Sequence, residues 1–183
     1  QDFDDAKQGR MLARQWLVNL ANHIPLSIWY DWHDDGPDPT EPEHHFGTVT
    51  NDYRTGQSPV YLPKPAYRAA KTLTSALAGF RFTRRLALGS PDDYALLFNS
   101  GNESRLAVWT TSATEHSVRI PSSPCEFEIL AHTGEKRGAL AVKSGALVLT
   151  VHDGPRYLLV KHPNPILNAA PASPVGEEAS SPP

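Results

Sequence analysis

A chain of 183 residues has room for one domain, or for one and part of another. Its formal charge of −3 gives no reason to expect a polyanion, so nucleic acid is not an expected partner. The lone cysteine, Cys125, excludes an internal disulfide, and no apolar run is long enough to span a bilayer as a helix.

The first expected element is a helix over residues 4–22. Ala6, Met11, Ala13, Leu17, Leu20 and Ala21 form a roughly helical apolar stripe. Asp2, Asp4 and Asp5 suit the positive end of its dipole. A short turn through Asn22 and His23 leads to residues 24–30, which are β-branched or aromatic at most positions and apolar on both faces. That is the pattern of a strand buried on both sides. Helix, tight turn and doubly apolar strand make the second half of a βαβ crossover, whose first strand is expected just before Gln1.

Trp29, Tyr30 and Trp32 lie at the carboxyl end of this strand, followed by His33, Asp34, Asp35, Asp38, Glu41, Glu43, His44 and His45. Aromatic rings beside carboxylates and imidazoles at such a strand end describe the mouth of an α/β barrel, where active sites sit. Residues 34–63 show little periodicity, and a loop of that length in a compact domain is usually functional. Residues 65–77 read as a second helix. Pro65 suits its first position, Ala66, Ala69, Ala70, Leu73 and Leu77 mark its buried side, and Gly79 stops it.

Beyond Phe80 the texture changes to short strands, expected at 81–88, 94–99, 106–111, 116–120, 126–131, 139–142, 146–151 and 156–160. Glycine, proline, serine and asparagine clusters separate them, which indicates an antiparallel sandwich. Trp109 alternates with Ala107 as if facing a core. Residues 163–183 are rich in proline, alanine and serine and are expected to be a disordered tail.

Three stretches together resemble one family: 24–36 (IPLSIWYDWHDDG), 43–47 (EHHFG) and 64–67 (KPAY). They are similar to the last strand, loop and closing helix of clan-A glycoside hydrolases, the cellulase-like and β-xylosidase-like (β/α)8 barrels. The resemblance covers about residues 1–160. It implies a fold that is α/β plus all-β: the C-terminal end of a (β/α)8 barrel, with its last strand and last two helices, followed by an antiparallel β-sandwich. The expected division is 1–78 for the incomplete barrel, 79–162 for the sandwich and 163–183 for the tail.

In that family the acid/base glutamate follows strand four and the nucleophile follows strand seven. Neither position is present, so the resemblance implies no catalytic residue in this chain. It implies instead a retaining parent whose two carboxyls lie about 5 Å apart upstream. This portion alone is expected to be inactive, and its expected partners are a poly- or oligosaccharide and the missing N-terminal barrel. A secreted or periplasmic bacterial enzyme is the expected setting.

Sugar sites pair flat apolar faces with a few placed polar groups. The expected substrate-binding residues are therefore Trp29, Trp32, Asp34, Asp35, His44 and His45. Trp29 and Trp32 fall on opposite sides of a regular strand, so both reach a sugar only if the chain bends between them. His33, Asp35, His44 and His45 include metal-ligand types, but their spacing matches no metal motif, and Asp31, Asp35 and Gly36 only faintly echo a calcium loop. No metal or cofactor is expected. The alternative reading is a non-catalytic carbohydrate-binding or structural β-sandwich module. Without neighbouring strands, Ile24, Leu26, Ile28 and Trp29 should be less buried than their types demand.

Overall fold

The computed structural model describes residues 4–169. Helix α1 spans Asp5–Ala21, and α2 spans Pro65–Ala76. Strands β1 to β8 are Arg81–Arg85, Asp93–Ser100, Glu103–Thr110, His116–Pro121, Cys125–Ala131, Lys136–Val142, Ala146–Val151 and Arg156–Val160. A short helix α3, Pro165–Asn168, follows.

Helix α1 begins where its cap chemistry requires. The Asp4 carboxylate accepts from the backbone N–H of Ala6 at 2.9 Å and of Lys7 at 3.1 Å, satisfying two donors that the first turn leaves open. Its buried face is Gln8, Gly9, Leu12, Ala13 and Leu17, rotated from the expected stripe, while Ala6, Met11 and Leu20 are exposed. Close approach decides the face. A Cβ on Gly9 would lie 2.9 Å from the Pro65 carbonyl carbon, and Ala13 packs among Ala66 and Ala69 of α2. Small residues let the two backbones meet, with Leu12 and Leu17 buried beside them and Met11 and Leu20 turned outward. Pro65 opens α2, and Gly79 takes φ +78° just past its end, a conformation glycine adopts without strain.

The eight expected strands are present and pair antiparallel. They form a six-stranded sheet, β1-β2-β3-β8-β5-β6, and a two-stranded sheet, β4-β7. The large sheet is covered on both sides, which explains why the apolar runs 94–98 of β2 and 106–109 of β3 do not alternate with polar residues. Ala95, Leu97, Leu106 and Val108 face β4 and β7 through Val118, Ile120, Leu147 and Leu149. Leu96, Phe98, Ala107 and Trp109 face the helices through Leu17, Leu73 and Leu77. Strand β7 is covered on one face only and alternates accordingly, Leu147, Leu149 and Val151 inward, Val148 and Thr150 outward. The arrangement is mostly sheet with a few helices, consistent with a β-sandwich backed by a helical layer.

Two expectations are corrected. Residues 24–30 form no strand, because a strand is a hydrogen-bonded ladder and no neighbour runs alongside among the described residues. Only isolated bridges appear, His33 with Val49 and Val49 with Pro63. Burial still alternates with the period of an extended chain. Ser27, Trp29 and Asp31 are half-buried, whereas Leu26, Ile28, Tyr30 and Trp32 are 70, 76, 64 and 56% exposed. The under-burial expected of Ile24, Leu26 and Ile28 is therefore found, whereas Trp29, for which it is also expected, is half-buried against α1 and α2.

The tail expected from Pro163 also starts too early. Asn164 is fully buried; its side chain accepts from Leu167 N and Ser123 N and donates to Ser122 Oγ at 2.8 Å. Leu167 fills the core between the sheets. Their partners lie about forty residues upstream, where no local pattern reports them. The remainder of the expected tail, 170–183, lies outside the described residues.

The long loop is held from two sides. Gln8 of α1 shares its amide N–H groups among the carbonyls of His45, Phe46 and Gly47, at 2.9 to 3.1 Å. Lys64, just before α2, buries its ammonium against Asp34 at 2.7 Å, Asp5 at 3.1 Å and the His45 carbonyl at 3.0 Å. Gly47 has no room for a side chain, since a Cβ would sit 2.1 Å from the Asp34 nitrogen.

Replacing Lys64 by Met strands the buried Asp34 carboxylate and is expected to cost about 3 kcal/mol in denaturant unfolding. Adding Asp34→Leu should recover much of that loss, and an additive loss would show that the pair is not coupled.

A second expectation concerns pH. His132 and His152 both flank Gly154, while Arg10 of α1 pairs with Asp153 at 2.7 Å. Burial, then the Arg10 charge, push His132 down to about 4. His152 is lowered too, by burial and then by Arg156. An unfolded histidine titrates near 6.5, so between there and about 4 the unfolded chain binds the proton that the folded chain refuses. Stability is thus complete above pH 6.5 and declines as pH falls toward 4. Discounted for partial exposure, the His132 share is about 1 kcal/mol between pH 7 and 5. His132→Asn should flatten that slope in thermal melts, and an unchanged slope would remove His132 from the account.

Candidate functional site

Two features meet where the extended segment passes α2. The first is a cleft of about 480 Å³ lined by Trp16 of α1, Trp29, Asp31 and Trp32 of the segment, and Tyr67 and Lys71 of α2. Its size and its aromatic lining with a few polar groups are those of a small-molecule site. Trp32 stands edge-on to Tyr67, ring centroids 6.1 Å apart. Trp29 is wedged against the α1–α2 contact and donates its indole N–H to the Phe46 carbonyl at 3.3 Å. The Tyr30–Asp31 peptide is cis, and Trp29 and Trp32 line one cleft despite their opposite strand phases. The Trp16 indole nitrogen is buried without a hydrogen-bond partner among the described residues.

The second feature is a row of exposed and half-buried rings beside acids. Tyr30 meets Phe46 edge-on at 6.2 Å. His33 stacks on Tyr61 at 5.6 Å and 19°, and Tyr53 stands edge-on to Tyr61. The charges of Asp35, then Asp31, with a smaller part from Glu43, raise the Tyr30 phenol above its ordinary value. Tyr30 therefore stays a neutral hydroxyl, able to donate and accept, through the physiological range.

The six expected substrate residues separate. Trp29 and Trp32 come together in the cleft, and Asp35 is exposed beside Tyr30. Asp34 is 8% exposed and turned to Lys64, away from the cleft. His44 and His45 converge on Asp38: His44 Nδ1 accepts the Asp38 N–H at 3.1 Å, and His45 Nε2 lies 3.0 Å from the Asp38 carbonyl. The Asp38 carboxylate accepts from both the N–H and the hydroxyl of Thr40, which hold it below the usual range. These contacts shape the loop rather than face the cleft. Tyr30, Tyr67 and Trp16 were not foreseen as site residues. The strand alternation already grouped Tyr30 with Ile28 and Trp32, and that was the available signal for it. No group of three or more metal-ligand side chains occurs among the described residues.

The arrangement offers stacking faces, neutral hydroxyls and carboxylate acceptors, which is the chemistry of sugar recognition. No family model and no curated protein matches the chain. Solved structures do. A family 39 glycoside hydrolase from the gut symbiont Bacteroides cellulosilyticus WH2 matches with a TM-score of 0.68 at 27% identity, over 86% of this chain and 31% of that one. A GH30 endoxylanase from Clostridium papyrosolvens C71 matches with a TM-score of 0.59 at 13% identity, over 87% of this chain and 40% of that one, which shows a shared fold alone. The chain thus spans about a third of the family 39 structure and two fifths of the GH30 structure. The resemblance to clan-A glycoside hydrolases read from residues 24–36, 43–47 and 64–67 is borne out, as a likeness to part of such enzymes.

Proposed function

We propose that this chain is the C-terminal portion of a retaining glycoside hydrolase that cleaves O-glycosidic bonds of a poly- or oligosaccharide. It supplies substrate contacts, and the two catalytic glutamates lie upstream. The observation that carries this reading is the match to a family 39 glycoside hydrolase at 27% identity over 86% of the chain. In the parent, residues 24–30, unpaired here, would gain neighbours and complete the barrel as its last strand, with α1 and α2 as its last two helices.

The exposed phase of the segment supports the assignment. A (β/α)8 barrel is filled by layers of branched apolar side chains, and its active site lies at the carboxyl ends of the strands. Ile24, Leu26 and Ile28 supply such layers, and Tyr30 and Trp32 follow at the carboxyl end, beside Asp35. Of the six expected residues, Trp32 and Asp35 contact the glycan, joined by Tyr30. Trp29, Asp34, His44 and His45 hold the loop and the wall behind it. The module reading lacks a comparable surface: Trp109 is buried and stacked on Tyr94 at 4.5 Å.

The two tryptophans separate recognition from packing. In the intact parent, Trp32→Ala is expected to lower kcat/KM on the order of tenfold with little change in melting temperature. Trp29→Ala should instead cost about 2 kcal/mol of stability, reflecting a half-buried ring. Turnover and glycan affinity unaltered by Trp32→Ala would end the case for this rim.

A further inference from the structure

A second depression, of about 550 Å³, opens between α2 and the six-stranded sheet. Its helix wall carries Arg68, Lys71 and Thr72, spaced as one face of a helix. Its floor carries Arg105 of β3 and Leu159, the residue directly opposite on β8. The turn between β5 and β6 closes one end at Gly134, where a Cβ would come within 2.9 Å of the Thr72 hydroxyl.

Three cations line this depression and no carboxylate does, in a chain whose net charge is −3. Among the described residues, none of the three is in an ion pair. Arg105 is held in place: it donates to the Ala76 carbonyl, and its guanidinium lies 4.0 Å above the Phe80 ring. Glu103, on the same strand, is the acid whose charge reaches it. Finishing the C-terminal end of α2 accounts for one N–H of Arg105. It accounts for neither Arg68 nor Lys71, whose side chains line the same trough, Lys71 lying between it and the aromatic cleft.

We propose that this trough binds the anionic group of an acidic saccharide, a ring-borne carboxylate or sulfate. The Arg105 fork meets two of the anion's oxygens, Arg68 and Lys71 neutralise it, and Leu159 supplies an apolar floor for the ring. That the anion is carried on a sugar rests on the glycosidase reading above. The cationic trough itself does not.

The test is calorimetric titration of the full 183-residue chain with trigalacturonate, neutral galactotriose and sodium sulfate. Saturable trigalacturonate binding that weakens with added salt is expected, with none for galactotriose and weaker binding of sulfate. Arg68→Gln, on the exposed helix face, should weaken it about fivefold, the effect of one exposed charge. Arg105→Lys, which keeps the charge and loses the fork, should weaken it further, and Arg68→Gln decides the matter if that variant does not fold. Equal binding of galactotriose, sulfate binding as tight as trigalacturonate, indifference to Arg68→Gln, or no saturation by about 10 mM would each overturn the site. Hydrolysis of neutral and of uronate-bearing glycans by the parent is measured separately. Its absence fails the glycosidase reading, whereas hydrolysis without trigalacturonate binding fails this trough alone.

Discussion

The buried ammonium of Lys64 is the constraint on which the site end of the molecule depends. Its side chain is 4% exposed, and it sits just before the N-terminus of α2, where the helix dipole disfavours a positive charge. A cation taken out of water there must be met by fixed acceptors. Asp34, Asp5 and the His45 carbonyl meet it, and they come from three separate places in the chain. One charge thereby ties the start of α1, the start of α2 and the loop after Trp32 into a single geometry. Gln8 does the neutral equivalent beside it, satisfying three loop carbonyls from the buried face of α1.

From that anchor the packing follows in layers. Helices α1 and α2 meet through Gly9, Leu12, Ala13, Ala66 and Ala69, and Leu17, Leu73 and Leu77 are left for the sheet. The sheet has to be apolar on both sides, since β4 and β7 cover its other face. Nothing among the described residues covers Ile24, Leu26 and Ile28 in the same way. An apolar stripe in water is unfavourable in proportion to its area, and contiguous stripes of this kind mark contact surfaces. The glycosidase reading gives this one a cover, the interior of the parent barrel.

Features written in local chemistry were legible. The Asp4 cap, Pro65 at the head of α2, Gly79 beyond its end and the turn clusters between strands each act within a few residues, and they located both long helices and all eight strands. Features decided by distant partners were not. The face α1 buries is chosen by how closely Pro65 approaches Gly9, not by its own apolar stripe. Asn164 and Leu167 look like tail until Ser122, Ser123 and the inter-sheet core are in place around them. Asp34 reads as a free carboxylate beside tryptophans, and its lysine lies thirty residues further on. Residues 24–30 carry the composition of a buried strand, but composition cannot supply a neighbour to pair with.

The aromatic motif itself serves two demands that a single phase could not meet. Along an extended chain, a one-residue step carries a side chain to the other face. Trp29 takes the inward phase and is spent on packing: its ring lies on the α1–α2 contact and its N–H on the Phe46 carbonyl. Tyr30 and Trp32 take the outward phase and keep their rings for solvent or ligand. Trp32 also reaches the cleft that Trp29 walls, so the fixed ring and the exposed one line a single space. Glycan recognition needs flat faces that do not have to be ordered at the moment of binding. On the glycosidase reading, a tryptophan fixed by helices, with Trp32 two residues from an acid-flanked tyrosine, would provide that order in advance.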